Sequence, residues 1–244
     1  MKLTRNTVLI TGGSSGIGLE LARQLIARNN TVVICCRSPE KLSLAKNESP
    51  KLNTIQCDIT HKAGRERLMN HMKNEYPDFN VLINNAAVAY KADFLSEAMT
   101  PVMVEEEVQT NFLAPVLLSR EFLNYNKTGT LVNITTGLIY APRSVYPIYN
   151  ATKSALHSFT QVLRKQTKPL DCEIIEVMMP VVDTPWHTGN LPRTAISTEK
   201  AVTLMIRDLE AGKKEIRVDR VKMLYLLSRI APALAVRIVN NLQD

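Results

Sequence analysis

The chain has 244 residues, 45% of them hydrophobic and 22% charged, the composition of an ordinary globular protein with room for a sizeable core. Its net charge of +7 is dispersed, the longest basic runs being pairs such as Lys213-Lys214 and Arg164-Lys165, and only 5% of residues are aromatic, so no nucleic-acid footprint is expected. No apolar run reaches the ~18 residues of a membrane span, and Val8-Leu9-Ile10 after Lys2 and Arg5 is too short for a signal peptide.

In chain order, Thr7–Thr11 (TVLIT) is a β-rich run that feeds directly into Gly12-Gly13-Ser14-Ser15-Gly16-Ile17-Gly18. Behind it, Leu19, Leu21, Ala22, Leu25 and Ile26 keep helical spacing. A strand, a glycine turn and a helix in that order build a phosphate site. Glycines let the backbone approach a pyrophosphate, and the amides at the helix N-terminus attract its charge. Thr31–Cys35 (TVVIC) completes a βαβ unit whose natural ligand is a dinucleotide. Gly12-Gly13-Ser14-Ser15-Gly16 also matches the G-x-S-x-G elbow of hydrolases, but that elbow follows several strands and only eleven residues precede Gly12. A Walker A loop needs a lysine that Gly16-Ile17-Gly18 does not supply. After the second strand, Cys36 stands where an acid would select a free ribose hydroxyl, and Arg37 stands where a base would meet a 2′-phosphate. That favours NADP(H) over NAD(H); the plainer alternative is an exposed loop arginine.

Helix and strand then alternate. The spacing predicts a helix over 41–47, a strand over 53–57 (NTIQC) followed by Asp58-Ile59, and a helix over 65–76 with Leu68, Met69 and Met72 inward. Val81-Leu82-Ile83 is a strand ending at Asn84-Asn85-Ala86-Ala87, and 101–123 is mainly helical, contains Asn111 and has Pro115 as a local irregularity. Leu131–Ile134 is a strand, Thr135-Thr136-Gly137 a hydroxyl-bearing turn, and a helix opens near Tyr149. Tyr149 and Lys153, four apart, lie on one helical face. An adjacent ammonium is expected to lower the phenol's pKa and make it a general acid/base near neutrality. Thr136 is expected to place a hydroxyl beside the same substrate oxygen. Cys172–Met178 is a sixth strand. This alternation predicts a single α/β domain, a doubly wound parallel sheet of about seven strands. Residues 1–190 are its dinucleotide-binding and catalytic core; 191–244 add a helix, the last strand and an amphipathic extension. Cys35, Cys36, Cys57 and Cys172 show neither C-x-x-C nor zinc spacing, so no metal is expected, and the thiols fit a reducing cytoplasm.

Thr11-Gly12-x-x-x-Gly16-x-Gly18, Asp58, Asn84-Asn85-Ala86, Asn111, Thr136, Tyr149-x-x-x-Lys153 and Val182-Asp183-Thr184 stand in order and at spacings that resemble the short-chain dehydrogenases/reductases. The likeness covers roughly residues 5–190, with a weaker echo to about 220. It implies a Rossmann fold and an oxidoreductase that interconverts a carbonyl and a secondary alcohol. Tyr149 would pass the proton and Thr136 would bond the substrate oxygen. Lys153 would hold the nicotinamide ribose and depress the Tyr149 pKa, and Asn111 would fix a water on the Lys153 side. Gly12, Ser14, Ser15, Gly16, Ile17 and Gly18 would cradle the pyrophosphate. Asp58 and Ile59 would border the adenine, Asn85 would line the ribose region, Ala86 and Tyr149 would also touch the cofactor, and Val182 and Thr184 would cap the nicotinamide end. Three positions depart from the family pattern: Thr136 for serine, Ala87 for glycine, and Met179-Pro180 for Pro-Gly. They motivate a second function, an NADP(H)-binding sensor or scaffold with little turnover. Serine hydrolysis at Ser14 is a distant third. The family also implies a homodimer or homotetramer.

Specificity in such proteins rests on the loop after the sixth strand and on the tail. Here the loop is 185–197, with Trp186 as a lid or packing anchor, Leu191, and His187, which with His157 reads as a polar surface residue. A helix is expected over 198–210, a strand over 215–221 and an amphipathic segment over 222–242, with Met223, Leu227, Ile230, Leu234 and Ile238 on one face and a kink at Pro232. From Lys213 to Arg237, seven Lys/Arg face only Glu215 and Asp219. Such a tail suits a roof over the substrate pocket or a subunit interface, which are favoured, or peripheral contact with an anionic membrane. Val182-Asp183-Thr184 and its flanks also resemble the branch named for teichoic-acid D-alanylation operons, hinting at a bulky or envelope-related substrate.

Overall fold

A computed structural model describes residues 2–185, 192 and 194–241. The N-terminal half alternates β1 (Thr7–Thr11), α1 (Gly16–Ile26), β2 (Thr31–Cys36), α2 (Pro39–Glu48), β3 (Asn53–Gln56), α3 (Lys62–Glu75) and β4 (Phe79–Asn84). Then come α4 (Pro101–Val108), a π turn (Gln109–Leu113), α5 (Ala114–Tyr125), β5 (Thr128–Thr136) and α6 (Pro147–Gln166). The last part holds β6 (Asp171–Met179), β7 (Val182–Asp183), β8 (Ile196–Ser197), α7 (Thr198–Glu210), β9 (Glu215–Arg217), α8 (Val221–Ile230) and α9 (Pro232–Asn240). Seven strands form one sheet in the order β3-β2-β1-β4-β5-β6-β9, each neighbouring pair parallel, and β7 pairs β8 in a separate parallel ribbon.

Alternate residues of the central strands feed two cores. Val8, Ile10, Val32 and Ile34 pack with Leu21 and Leu25 of α1 and Met205 of α7, while Leu9, Val33, Leu82 and Leu131 pack with Leu68 of α3 and Leu118 of α5. A sheet covered on both faces explains why its strands read as nearly unbroken apolar runs. Local signals set the helix starts: Ser38 Oγ accepts from Lys41 N (3.2 Å) with Pro39 next in line, and Thr100 Oγ1 accepts from Met103 N (3.3 Å) ahead of Pro101. Strand order reverses between β1 and β4, so their C-terminal ends open a crevice where ligands bind in such sheets.

The structure departs from the sequence expectation in several places. The irregularity falls one turn before Pro115, as the π turn over Gln109–Leu113. Pro115 has no N–H to give residue 111, and the backbone widens ahead of it. The last strand stops at Arg217, not Val221: Asp219 is left-handed (φ 51°), and α8 begins two residues later. The tail is two helices rather than one kinked helix, because Ala231 before Pro232 leaves the helical region (φ −140°, ψ 71°). Its inward residues are Leu224, Leu227, Ala235 and Val239, packed around Ala141 and Leu138. Met223, Ile230, Leu234 and Ile238 are exposed. No described helix is long and apolar enough to cross a membrane. Trp186, His187 and Leu191 lie outside the described residues.

Candidate active site

The turn after β1 is locked to the end of β4. Thr11 Oγ1 accepts from Asn85 N and Ala86 N (both 3.1 Å), and Asn85 Nδ2 donates to Thr11 O (3.0 Å) and Gly12 O (3.1 Å). Gly12 and Gly16 have φ of 65° and 53°, a conformation that favours glycine. Ser15 precedes α1 with no side-chain cap, and the first turn carries no acid, so the positive end of this helix faces the cavity uncompensated. These features fit a pyrophosphate.

A continuous cavity of about 800 Å³ runs along this edge. Gly12, Ser14, Ser15, Gly16, Ile17, Gly18, Arg37, Asp58, Ile59, Asn85, Ala86, Thr136, Tyr149, Lys153, Val182 and Thr184 all line it. Asn111 does not. It is fully buried in the π turn, where its amide donates to Val88 O (2.7 Å) and Thr152 Oγ1 (3.2 Å) and accepts from Val88 N (2.9 Å). Its visible work is to tie the segment after β4 to α6.

At one end of the cavity, Arg37 pairs with Glu106 (2.6 Å), which also accepts from Tyr90 Oη. Ser38 and Lys41 line the same end, and sequence reasoning missed both. Thr60 gives two hydrogen bonds to Asp58 Oδ1 (2.6 and 2.9 Å). Burial pushes the Asp58 carboxyl up, but these bonds and the Arg37 charge outweigh it and hold it below its usual value.

At the other end, Thr136 closes β5, and its hydroxyl hydrogen-bonds the half-buried Tyr149. Lys153 Nζ donates to Ile134 O (2.9 Å) and lies 5.9 Å from the centre of the Tyr149 ring. The expected lowering of the phenol pKa is absent: burial drives it well above the usual value, and the Thr136 hydrogen bond offsets this only in part. Burial also draws the Lys153 ammonium down to about 8, opposed by the charge of Glu176. His157, expected at the surface, instead pairs with Glu176.

Sequence reasoning also passed over Glu107, one turn before Asn111. It is fully buried: one oxygen accepts from Tyr90 N (2.7 Å) and the other, Oε2, has no hydrogen-bond partner among the described residues. Burial raises its carboxyl to about 7, and its charge opposes ionisation of Tyr149. The folded state therefore keeps a proton that the unfolded chain releases near its ordinary value of 4.5, so this stabilising contribution is full below pH 4.5 and lost as pH rises through 7. Glu107→Gln, which keeps the acceptor for Tyr90, is expected to gain ~1–3 kcal/mol near pH 8 and nothing near pH 4.5. Denaturant melts of both proteins at the two pH values measure it.

A model of the short chain dehydrogenase family matches residues 6–193. The chain belongs to that family. It is 42% identical over 230 residues to the uncharacterised oxidoreductase DltE of Bacillus subtilis (strain 168), covering 91% of each chain, and falls in the DltE-like branch. Two solved structures share the fold. A short-chain dehydrogenase from Burkholderia cenocepacia J2315, determined with NADP, superposes with a TM-score of 0.86 at 23% identity over 98% of this chain and 99% of its own. One from Sphingobium yanoikuyae, determined with NADPH, gives a TM-score of 0.78 at 24% identity over 86% and 87%. As a short-chain dehydrogenase this chain is an oxidoreductase that binds a nicotinamide cofactor and acts on small molecules. No group of His, Cys, Asp or Glu able to hold a metal occurs among the described residues.

Proposed function

We propose that this protein is an NADP(H)-dependent oxidoreductase that interconverts a ketone and a secondary alcohol, with Tyr149 as general acid/base. The observation that carries the reading is the hydrogen-bonded Tyr149–Thr136 pair beside Lys153, at the end of a cavity that runs from the glycine turn. A bound nicotinamide supplies or accepts the hydride. Gly12 to Gly18 hold the pyrophosphate, and Lys153 is the donor for the ribose. Arg37, exchanging Glu106 for phosphate, and Lys41 meet the 2′-phosphate. In reduction the substrate oxygen accepts from the Tyr149 and Thr136 hydroxyls, and Tyr149 Oη delivers its proton. Burial keeps that phenol protonated at neutral pH, which suits this direction. The nearby Lys153 charge favours the phenolate left behind.

The far wall supports an apolar substrate. Leu138, Val181, Leu224, Leu227, Ile238 and Val239 line it. The base of α8 lies on the turn after Thr136, where a Cβ on Gly137 would stand 3.0 Å from a Val221 methyl. A methyl-ketone series from butanone to 2-decanone, followed by NADPH consumption, tests this: kcat/KM is expected to rise about threefold or more per added methylene while the wall is being covered. Saturable NADPH binding without turnover of any ketone or aldehyde would favour the sensor instead. Cofactor choice has its own test. Arg37→Ala is expected to weaken NADPH about tenfold or more and leave NADH nearly unchanged, and Cys36→Asp to shift preference toward NADH. Fluorescence titration with each nucleotide measures both.

A further inference from the structure

Glu176 is a completely buried carboxylate on β6, and the chemistry assigned above does not use it. Its oxygens accept from Thr135 Oγ1 at 2.7 Å and face His157 Nδ1 at 2.8 and 2.9 Å. An ionised carboxylate has only acceptors, so His157 gives its Nδ1–H to it, and the other ring nitrogen faces the Gln161 amide at 3.1 Å. His157 lies one turn beyond Lys153 on α6, while Thr135 directly follows Ile134, whose carbonyl receives the Lys153 ammonium. Two adjacent residues of β5 and two successive turns of α6 thus bring the carboxylate and the ammonium to the same buried seam.

We propose that Glu176 is the positioning counter-charge that keeps the Lys153 ammonium charged, with His157 and Thr135 fixing the carboxylate. A buried ammonium held by one carbonyl is poorly compensated, and a fixed carboxylate is the group that offsets its desolvation. The electrostatics agree in sign: burial disfavours the Lys153 charge and Glu176 offsets part of that. The other groups facing the seam do not replace it. Tyr149 is a neutral phenol, and Glu107, on α4, acts on Tyr149. Tyr140 stacks edge-on to His157 with its hydroxyl taken by Arg217 Nε (3.0 Å), and Arg217 is itself paired with Glu215 (2.8 Å).

The inference rests on the reading of Lys153 as the ribose-holding cation, but its test needs no turnover. Lysine 13Cε resonances of the cofactor-free protein, with Lys153 assigned through Lys153→Arg, are followed against pH in wild type and Glu176→Gln. The glutamine keeps an oxygen for Thr135 and His157. The Lys153 midpoint is expected to fall so that at least tenfold less of the ammonium stays charged above both midpoints. Glu176→Asp is expected to recover most of it, and the alkaline limb of NADPH binding to move with it. Should the glutamine variant not fold, Glu176→Met with His157→Leu and Thr135→Val removes the charge together with both of its hydrogen-bond partners, and the same fall is required. An unchanged Lys153 midpoint in a folded variant, with only a lowered Tm, would overturn the proposal and reduce the cluster to a structural pair. Loss of NADPH binding by the wild type would instead remove the functional reading and leave the titration result standing.

Discussion

Replacing Tyr149 by phenylalanine is expected to lower kcat for ketone reduction by about 10²- to 10⁴-fold, the usual contribution of a positioned general acid. NADPH affinity should change little, because the hydroxyl is hydrogen-bonded with Thr136 at the end of the cavity away from the glycine turn. The ring itself is retained, so the packing of Tyr149 against Tyr146 (ring centres 6.3 Å apart) survives. A drop confined to kcat marks the loss of proton delivery; a matching rise in KM would mean that the hydroxyl mainly binds substrate. Steady-state kinetics on the best ketone, with nucleotide titration of both proteins, separates the two.

The second large effect is expected at Gly18. A Cβ there would stand 2.5 Å from Gly12 O, 2.6 Å from Asn85 Nδ2 and 3.0 Å from Gly13 Cα. Two of these atoms are backbone of the glycine turn, and the third belongs to the side chain that clamps the turn to β4. Nothing flexible is available to move aside. Gly18→Ala is therefore expected to destabilise the protein by ~1–3 kcal/mol through overpacking and to weaken NADPH by tenfold or more. Asn85→Ala, which removes the clamp without a clash, should lose less of both. Thermal melts and nucleotide titrations of the two variants give the comparison.

The parts that were legible in the sequence are those set by short-range pattern. Thr7–Thr11, the glycine turn and the helix behind it are adjacent, so one reading recovers strand, turn and helix together. The Tyr149–Lys153 spacing likewise fixes a common face wherever the helix lies. What stayed hidden depends on contacts between distant segments. Glu176 looks like a polar interruption of an apolar strand until β6 is laid against α6 and meets His157. Glu107 reads as one of three consecutive glutamates, and only the fold shows that Glu106 faces Arg37 while Glu107 is sealed beneath Tyr90. The tail misled for a related reason. Its periodicity was real, but of the expected face only Leu227 is inward: α8 turns Leu224 and Leu227 to the core, and α9, set off by the break at Ala231, turns Ala235 and Val239. Tyr149 shows the limit of pairwise charge reasoning. The adjacent ammonium is present, yet its Nζ bonds a β5 carbonyl, and desolvation of the phenol is the larger effect.

The central claim, a nicotinamide site built on the glycine turn and selective for the 2′-phosphate, is tested most directly by calorimetric titration of the wild-type protein with NADPH and NADH. Saturable binding of one nucleotide per chain is predicted, with NADPH about tenfold or more tighter than NADH through Arg37 and Lys41. Tighter binding of NADH would contradict the assignment of Arg37, and failure to bind either nucleotide would contradict the account from Gly12 onward.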